Sequence, residues 1–171
     1  MPEQQWNIVT RDGLRVSVRP ATNGDEGLLT ELFDHVSPQD LRFRFFSAIK
    51  HVSRKQIAEL IGVDHGAVES YIAFARNTAT PIATAVLACD RDKKRAEVAI
   101  SVRSDLKGHG LGWELLSLMV REAKNRGLQT IESIEDRNNY DAVEIEQNMG
   151  FRVKPYPDDP RLVLLSKSLV A

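Results

Sequence analysis

The sequence predicts an α/β domain of the α+β kind: a mixed, mostly antiparallel sheet of about six or seven strands flanked by helices, with a long helix opened by a glycine loop after the fourth strand. Three observations lead there. Residues 70–75, 81–89 and 96–102 are apolar runs joined by short polar connections, the spacing of a three-stranded meander. A long helical period then starts at Lys107-Gly108-His109-Gly110-Leu111-Gly112. Behind it, strand, helix and strand patterns alternate to the end of the chain.

In chain order, residues 14–19 alternate apolar and polar and stop at Pro20, which reads as the first strand. Residues 25–36 follow a helical period that gathers Leu28, Leu29, Leu32 and Phe33 on one side. Residues 37–61 are helical again but broken near His51, and Ser53 suits the N-cap of the second piece, which ends at Gly62. The meander follows, its polar connections at residues 77–80 and 90–95. The glycine-loop helix spans residues 110–126: Leu111, Leu115 and Met119 recur every fourth position, with Gly112, Leu116 and Val120 beside them. Lys124 and Arg126 favour its negative end, and Gly127 suits a left-handed cap. Residues 129–134 read as a strand, 139–148 as a helix, and 151–154 and 161–168 as closing strands.

The length of 171 residues suits one domain, residues 1–171, able to bury a continuous core without staples. Twenty-three Lys and Arg against 24 Asp and Glu give a net charge of -1, so no nucleic-acid partner is expected and any anion site must be local. Cys89 is the single cysteine, which excludes an intrachain disulfide and fits a reducing, cytoplasmic setting. Its apolar surroundings mark it as core filling rather than a nucleophile. The first residues lack the pattern of a signal peptide and no apolar run has membrane-spanning length, so no membrane association is expected. His35, His51, His65 and His109 show no ligand spacing, and no metal is expected.

The glycine loop is the strongest chemical signal. Backbone N–H groups at a helix start are unpaired and the helix dipole favours an anion there, while glycines let the backbone close on phosphate oxygens. Lys107 and, in part, His109 add positive charge. No Lys-Ser or Lys-Thr follows at Walker spacing, which excludes that class of nucleotide hydrolase. A dinucleotide fingerprint fits the first two glycines, with Glu132 at a suitable distance, but Trp113 stands where its third glycine belongs and a meander precedes the loop. A glycine-rich turn with no ligand stays open on the loop alone.

Residues 96–153 resemble the GCN5-related N-acetyltransferases (GNAT), whose signature is Gln or Arg, two residues, Gly, one residue, then Gly or Ala. The frame here is Lys107, Gly108, His109, Gly110, Leu111, Gly112, with Lys107 in place of Gln or Arg. A second element, Asn, two residues, Ala, then Gly-Phe, reads Asn139, Ala142 and Gly150-Phe151. The front half, Leu14-Arg15-Val16-Ser17-Val18-Arg19-Pro20 and Ser37-Pro38 through Leu41-Arg42-Phe43-Arg44-Phe45-Phe46, is similar to the acetyltransferase domain of bacterial Pat-type protein lysine acetyltransferases. Those enzymes commonly carry a large acyl-CoA-synthetase-like region, which this sequence lacks.

The resemblance implies acetyl-CoA as co-substrate, a splayed strand whose end, Ile100-Ser101-Val102, meets the pantetheine arm and the thioester oxygen, pyrophosphate contacts along 107–112, and cofactor contact at Asn139. It implies direct attack by an amine, from a protein such as an acyl-CoA synthetase or from a small molecule. Glu97, ten residues before Lys107, is the candidate base; a surface pairing with Arg95 or Lys94 is the plainer alternative. Many relatives have a tyrosine as general acid four residues after the alanine of the second element; here that place is Glu146, so no general acid is assigned, with Tyr140 or water as substitutes. Phe43, Phe45 and Phe46 are expected in the core around the cofactor groove. A non-catalytic acyl-CoA-sensing domain is the reading of another class.

Overall fold

The alternation of residues 14–19 is realised as an edge-proximal strand. In the computed structural model, which describes residues 4–47, 49–61 and 67–170, strand β2 (Arg15–Pro20) buries Val16 and Val18 completely. It pairs antiparallel with β1 (Trp6–Val9), a strand the sequence pattern did not reveal. Only Ile8 of β1 is buried, so its identity comes from the ladder to β2 rather than from its own periodicity. The glycine-loop helix consequently follows the fifth strand, and the sheet has eight strands among the described residues.

The predicted break near His51 separates α2 (Pro38–Phe45) from α3 (Arg54–Ile61), behind α1 (Glu26–Asp34). Ser37 Oγ caps α2 by accepting the Asp40 N–H at 3.1 Å, with Pro38 in the first turn. Ser53 and Gln56 form a reciprocal pair at the start of α3: Ser53 Oγ accepts the Gln56 N–H at 3.1 Å, and Gln56 Oε1 accepts the Ser53 N–H at 2.9 Å. The predicted end at Gly62, like His65, lies outside the described residues.

The meander is β3 (Val68–Ala75), β4 (Pro81–Cys89) and β5 (Arg95–Val102). Successive residues of β3 serve opposite cores: Tyr71 and Ala73 pack in one cluster with Val16, Leu115 and Met119, and Ile72 and Phe74 in the other with Leu29, Phe33 and Ile57. Helices thus cover both faces of the sheet, which explains why β3 and β4 read as continuous apolar runs.

Helix α4 (Leu111–Asn125) ends as Gly127 predicted. Gly127 has φ +77°, its N–H donates to Lys124 O and the Leu128 N–H to Ala123 O, the paired bonds of a left-handed helix cap. Strands β6 (Thr130–Asp136), β7 (Arg152–Pro155) and β8 (Leu162–Ser168) and helix α5 (Tyr140–Asn148) complete the chain. The sheet order is β1-β2-β3-β4-β5-β6-β8-β7, antiparallel throughout except for β5 and β6.

Candidate active site

The single parallel pairing is also where the sheet opens. β5 and β6 are in register only from Arg95↔Thr130 to Glu97↔Glu132; beyond Glu97 they part. β5 meanwhile stays paired with β4 from Ala96 to Val102 without a shift. The Arg103 N–H donates to Ile82 O and Arg95 O accepts the Asp90 N–H, so odd-numbered residues of β5 turn their backbone groups toward β4. By the two-residue period, Ile100 and Val102 turn theirs into the gap, while the Val98 N–H still belongs to the Glu97↔Glu132 pairing with β6. Of the three predicted backbone contacts, Ile100 and Val102 therefore face the opening. Ser101 spends its backbone on β4, and its side chain is buried.

The gap leads into a groove of about 1000 Å³, its open mouth included. Phe43, Arg44 and Phe46 line it from α2 and its end, Gly112 and Leu116 from α4, and Asn139, Ala142 and Glu146 from α5. The phenylalanine trio is divided: Phe43 and Phe46 line the groove, whereas Phe45 packs edge-on against Phe33 in the core, ring centroids 5.8 Å apart.

The glycine loop has the backbone its residues imply. Gly108 and Gly110 adopt φ +87° and +88°, conformations that L side chains rarely take. A Cβ at Gly108 would meet nothing within 4 Å, leaving an open concavity beside the α4 N-terminus that fits a pyrophosphate. A Cβ at Gly110 would stand 3.3 Å from Arg11 Cγ. The β1–β2 turn thus abuts the loop and brings a cation, Arg11, that sequence reasoning missed; only the long-range fold joins residues 11 and 110. The two predicted cations are already compensated. Lys107 Nζ pairs with Asp40 Oδ2 at 2.7 Å, and His109 Nδ1 bonds Asp12 Oδ2. The hydrogen bonds from Thr10 and His109 hold Asp12 below the usual carboxylate range.

Glu97 sits at the last paired position, where the strands separate. The plainer pairing with Arg95 does not occur: Arg95 binds Glu132 at 3.1 Å. Although the residue is exposed at the groove mouth, partial burial of its carboxyl raises its pKa, opposed by Arg44 and assisted by Glu132. Arg44 was missed from sequence. It lines the groove between Glu97 and Glu135, and burial lowers its own pKa against the attraction of both.

Asn139 caps α5, accepting the Ala142 N–H at 3.5 Å and donating from Nδ2 to Glu135 Oε2 at 3.3 Å, while also lining the groove. Ser133 Oγ donates to Glu135 Oε1 at 2.8 Å. Burial raises the pKa of Glu135 despite these donors. Glu146 is 4% exposed and neither of its oxygens has a hydrogen-bond partner; burial, with Glu135 beside it, pushes it up to about 9. Tyr140, by contrast, is 72% exposed and does not line the groove. Cys89 packs against the core away from the groove, and burial raises its pKa.

Comparison with known proteins agrees with this geometry. The Acetyltransferase (GNAT) family model matches residues 33–151. An acetyltransferase of Pseudomonas aeruginosa is 23% identical over 161 residues, 93% of this chain and 87% of that protein. In fold, the chain is similar to the GNAT domain of S. lividans PAT, with TM-score 0.87, 23% identity and 96% of each chain covered. It is also similar to spermidine N-acetyltransferase from Vibrio cholerae, solved with CoA and spermine, with TM-score 0.71 and 16% identity over 90% of this chain and 95% of that chain. A cAMP-binding acyltransferase from Mycobacterium smegmatis matches at TM-score 0.67 and 18% identity over 99% of this chain, which spans 48% of that protein. Among the described residues, no helix is long and apolar enough to cross a membrane.

Proposed function

The chain belongs to the GNAT acetyltransferase family, and from that premise we propose that it transfers an acetyl group from acetyl-CoA to an amine, in particular a protein lysine side chain, by direct attack in a ternary complex. The reading treats residues 1–171 as a single acetyltransferase domain acting in the cytoplasm. Glu97 carries the proposal: a carboxylate of raised pKa at the point where β5 and β6 part.

Acetyl-CoA supplies the thioester carbon. The α4 N-terminus with Gly108 and Gly110 receives its pyrophosphate, and the backbone of Ile100 and Val102 offers donors to the arm and to the oxygen that gathers charge. One such preorganised donor is worth about 3 kcal/mol. A lysine of pKa about 10.4 is neutral to well under about 0.1% at pH 7, so a base is needed. Burial strengthens Glu97 in that role. The lysine acceptor is supported by the Pat-like front half and by likeness to the S. lividans PAT domain across 96% of both chains. An acyl-CoA synthetase is accordingly the first protein substrate to try, with small amines beside it.

The test is thiol release from acetyl-CoA over a panel of acyl-CoA synthetases and small amines, wild type against Glu97→Gln. The variant is expected to lose about 100-fold or more in kcat with coenzyme binding intact. Undiminished turnover removes Glu97 as the base. Tight coenzyme binding without turnover on any amine points instead to an acyl-CoA sensor.

A further inference from the structure

We propose that Phe46 is the side chain by which the groove recognises its acceptor: the ring receives the hydrocarbon stem of the incoming amine, and so favours an amine carried on a long unbranched chain, as a lysine's is. The inference rests on the acetyl-transfer reading above. Among the large apolar side chains left exposed in the described residues, Phe46 alone lines the groove. It packs in neither apolar core, whereas the preceding Phe45 packs with Phe33. An apolar ring left in water at the mouth of a site gains by covering with an apolar partner from outside.

The backbone adds a second, independent observation. Phe46 closes α2 at φ +57° and ψ +24°, the left-handed region that a bulky L residue rarely takes and that glycine would hold with less strain. A continued helix would stack residue 46 one turn beyond Arg42, which is exposed and does not line the groove. The left-handed step instead leaves the ring on the groove wall. Strain of this kind gathers at ligand-binding positions, and here strain and exposure coincide on one aromatic side chain.

The order of contacts along α2 assigns the ring to the acceptor rather than to the coenzyme. Asp40, in the first turn, holds Lys107 at the start of the glycine loop, Nζ to Oδ2 at 2.7 Å. Arg44, one turn on, stands where Glu97 and Glu135 attract it. Phe46 follows Arg44, so α2 runs from the pyrophosphate end of the groove toward the base, and the ring lies at the base's end. An amine that enters there passes the ring on its way to Glu97, whose charge attracts its ammonium. Methylenes behind that ammonium cover the ring, as the stems of charged side chains cover apolar surface. A short amine reaches Glu97 without making that contact.

The experiment measures kcat/KM for ethylamine, butylamine, hexylamine and Nα-acetyl-lysine methylamide at saturating acetyl-CoA, with wild type, Phe46→Tyr and Phe46→Gly. Wild type is expected to gain about two- to four-fold per added methylene and Phe46→Tyr to keep that gain, while Phe46→Gly loses most of it and falls about ten-fold on the lysine derivative. The fall is in KM for the amine, with kcat within about three-fold and KM for acetyl-CoA within about two-fold. The melting temperature of Phe46→Gly does not drop, because glycine suits the left-handed position. A wild type indifferent to chain length, or a Phe46→Gly that gains as much per methylene as wild type, overturns the assignment. A rise in KM for acetyl-CoA with the methylene gain kept also overturns it and gives the ring to the coenzyme arm. If wild type acetylates no amine, the acetyl-transfer reading fails and the assignment with it, a result distinct from an active enzyme indifferent to Phe46→Gly.

Discussion

Replacing Glu146 by Gln should make the protein more stable at neutral pH and leave it little changed in mild acid. Glu146 has a folded pKa of about 9 against 4.5 for the free side chain. Between those limits the folded chain holds a proton that the unfolded chain has released, so folding stability falls as pH rises. The contribution is fully present below the unfolded value and is lost progressively up to the folded one, at about 1.4 kcal/mol per pH unit. At pH 7 the deficit is on the order of 3 kcal/mol, and the Gln variant, which has no proton to lose, escapes it. Urea denaturation at pH 5, 6, 7 and 8 measures the difference in midpoint. With a slope of about 1–3 kcal/mol/M, the variant's midpoint should lead wild type by about 1 M or more at pH 7 and by little at pH 5. Glu135, also raised by burial, titrates in both proteins, so the difference between the curves carries the test. A gap that stays constant from pH 5 to 8 would refute the reasoning, because Glu146 would then be ionised in the folded protein throughout.

Three further outcomes are expected. Gly110→Ala, forced to hold φ +88° with its Cβ against Arg11, should weaken acetyl-CoA binding about ten-fold or more by calorimetry, and Gly108→Ala, strained but open, should weaken it less. Equal binding in all three proteins removes the loop from the coenzyme site. Arg44→Met withdraws the attraction that lowers Glu97, so the acid limb of kcat/KM, lost as pH falls through the Glu97 pKa, should move to higher pH; an unmoved limb dissociates the two residues. Ser53→Ala deletes the α3 cap and should cost about 1 kcal/mol, a fall of about 2–4 °C in Tm.

What could be read in advance was what local rules govern. The meander runs, the α4 stripe, the Ser53 cap and the Gly127 stop each express a periodicity or a backbone requirement confined to a few residues. β1 escaped because four residues with one buried side chain carry too little pattern, and the ladder to β2 is a pairing of separate segments. The glycine loop and Glu97 were visible for the same local reason. Arg11 and Arg44 were not, since residues 11 and 44 reach residues 110 and 97 only through the sheet order. Glu146 was noticed as a departure from a tyrosine; its burial and its place beside Glu135 depend on how α5 packs against α4 and β8, which no spacing encodes.

The site and its electrostatics then have one origin. Had β5 and β6 remained paired beyond Glu97, their backbone groups would satisfy each other and no groove would separate them. Because they part, the edge at Ile100 and Val102 needs an outside partner, and the side chains that wall the gap are drawn from helices on both faces of the sheet. Those walls place two carboxyls, Glu97 and Glu135, about one guanidinium, Arg44, with Glu146 beside Glu135, and burial raises the pKa of all three carboxyls. Glu146, buried beside Glu135 and without a cation of its own, keeps its proton. The position with no hydrogen-bond donor, Glu146, is where it costs least to keep it. The splay thus sets both the open backbone edge and the protonation pattern beside it.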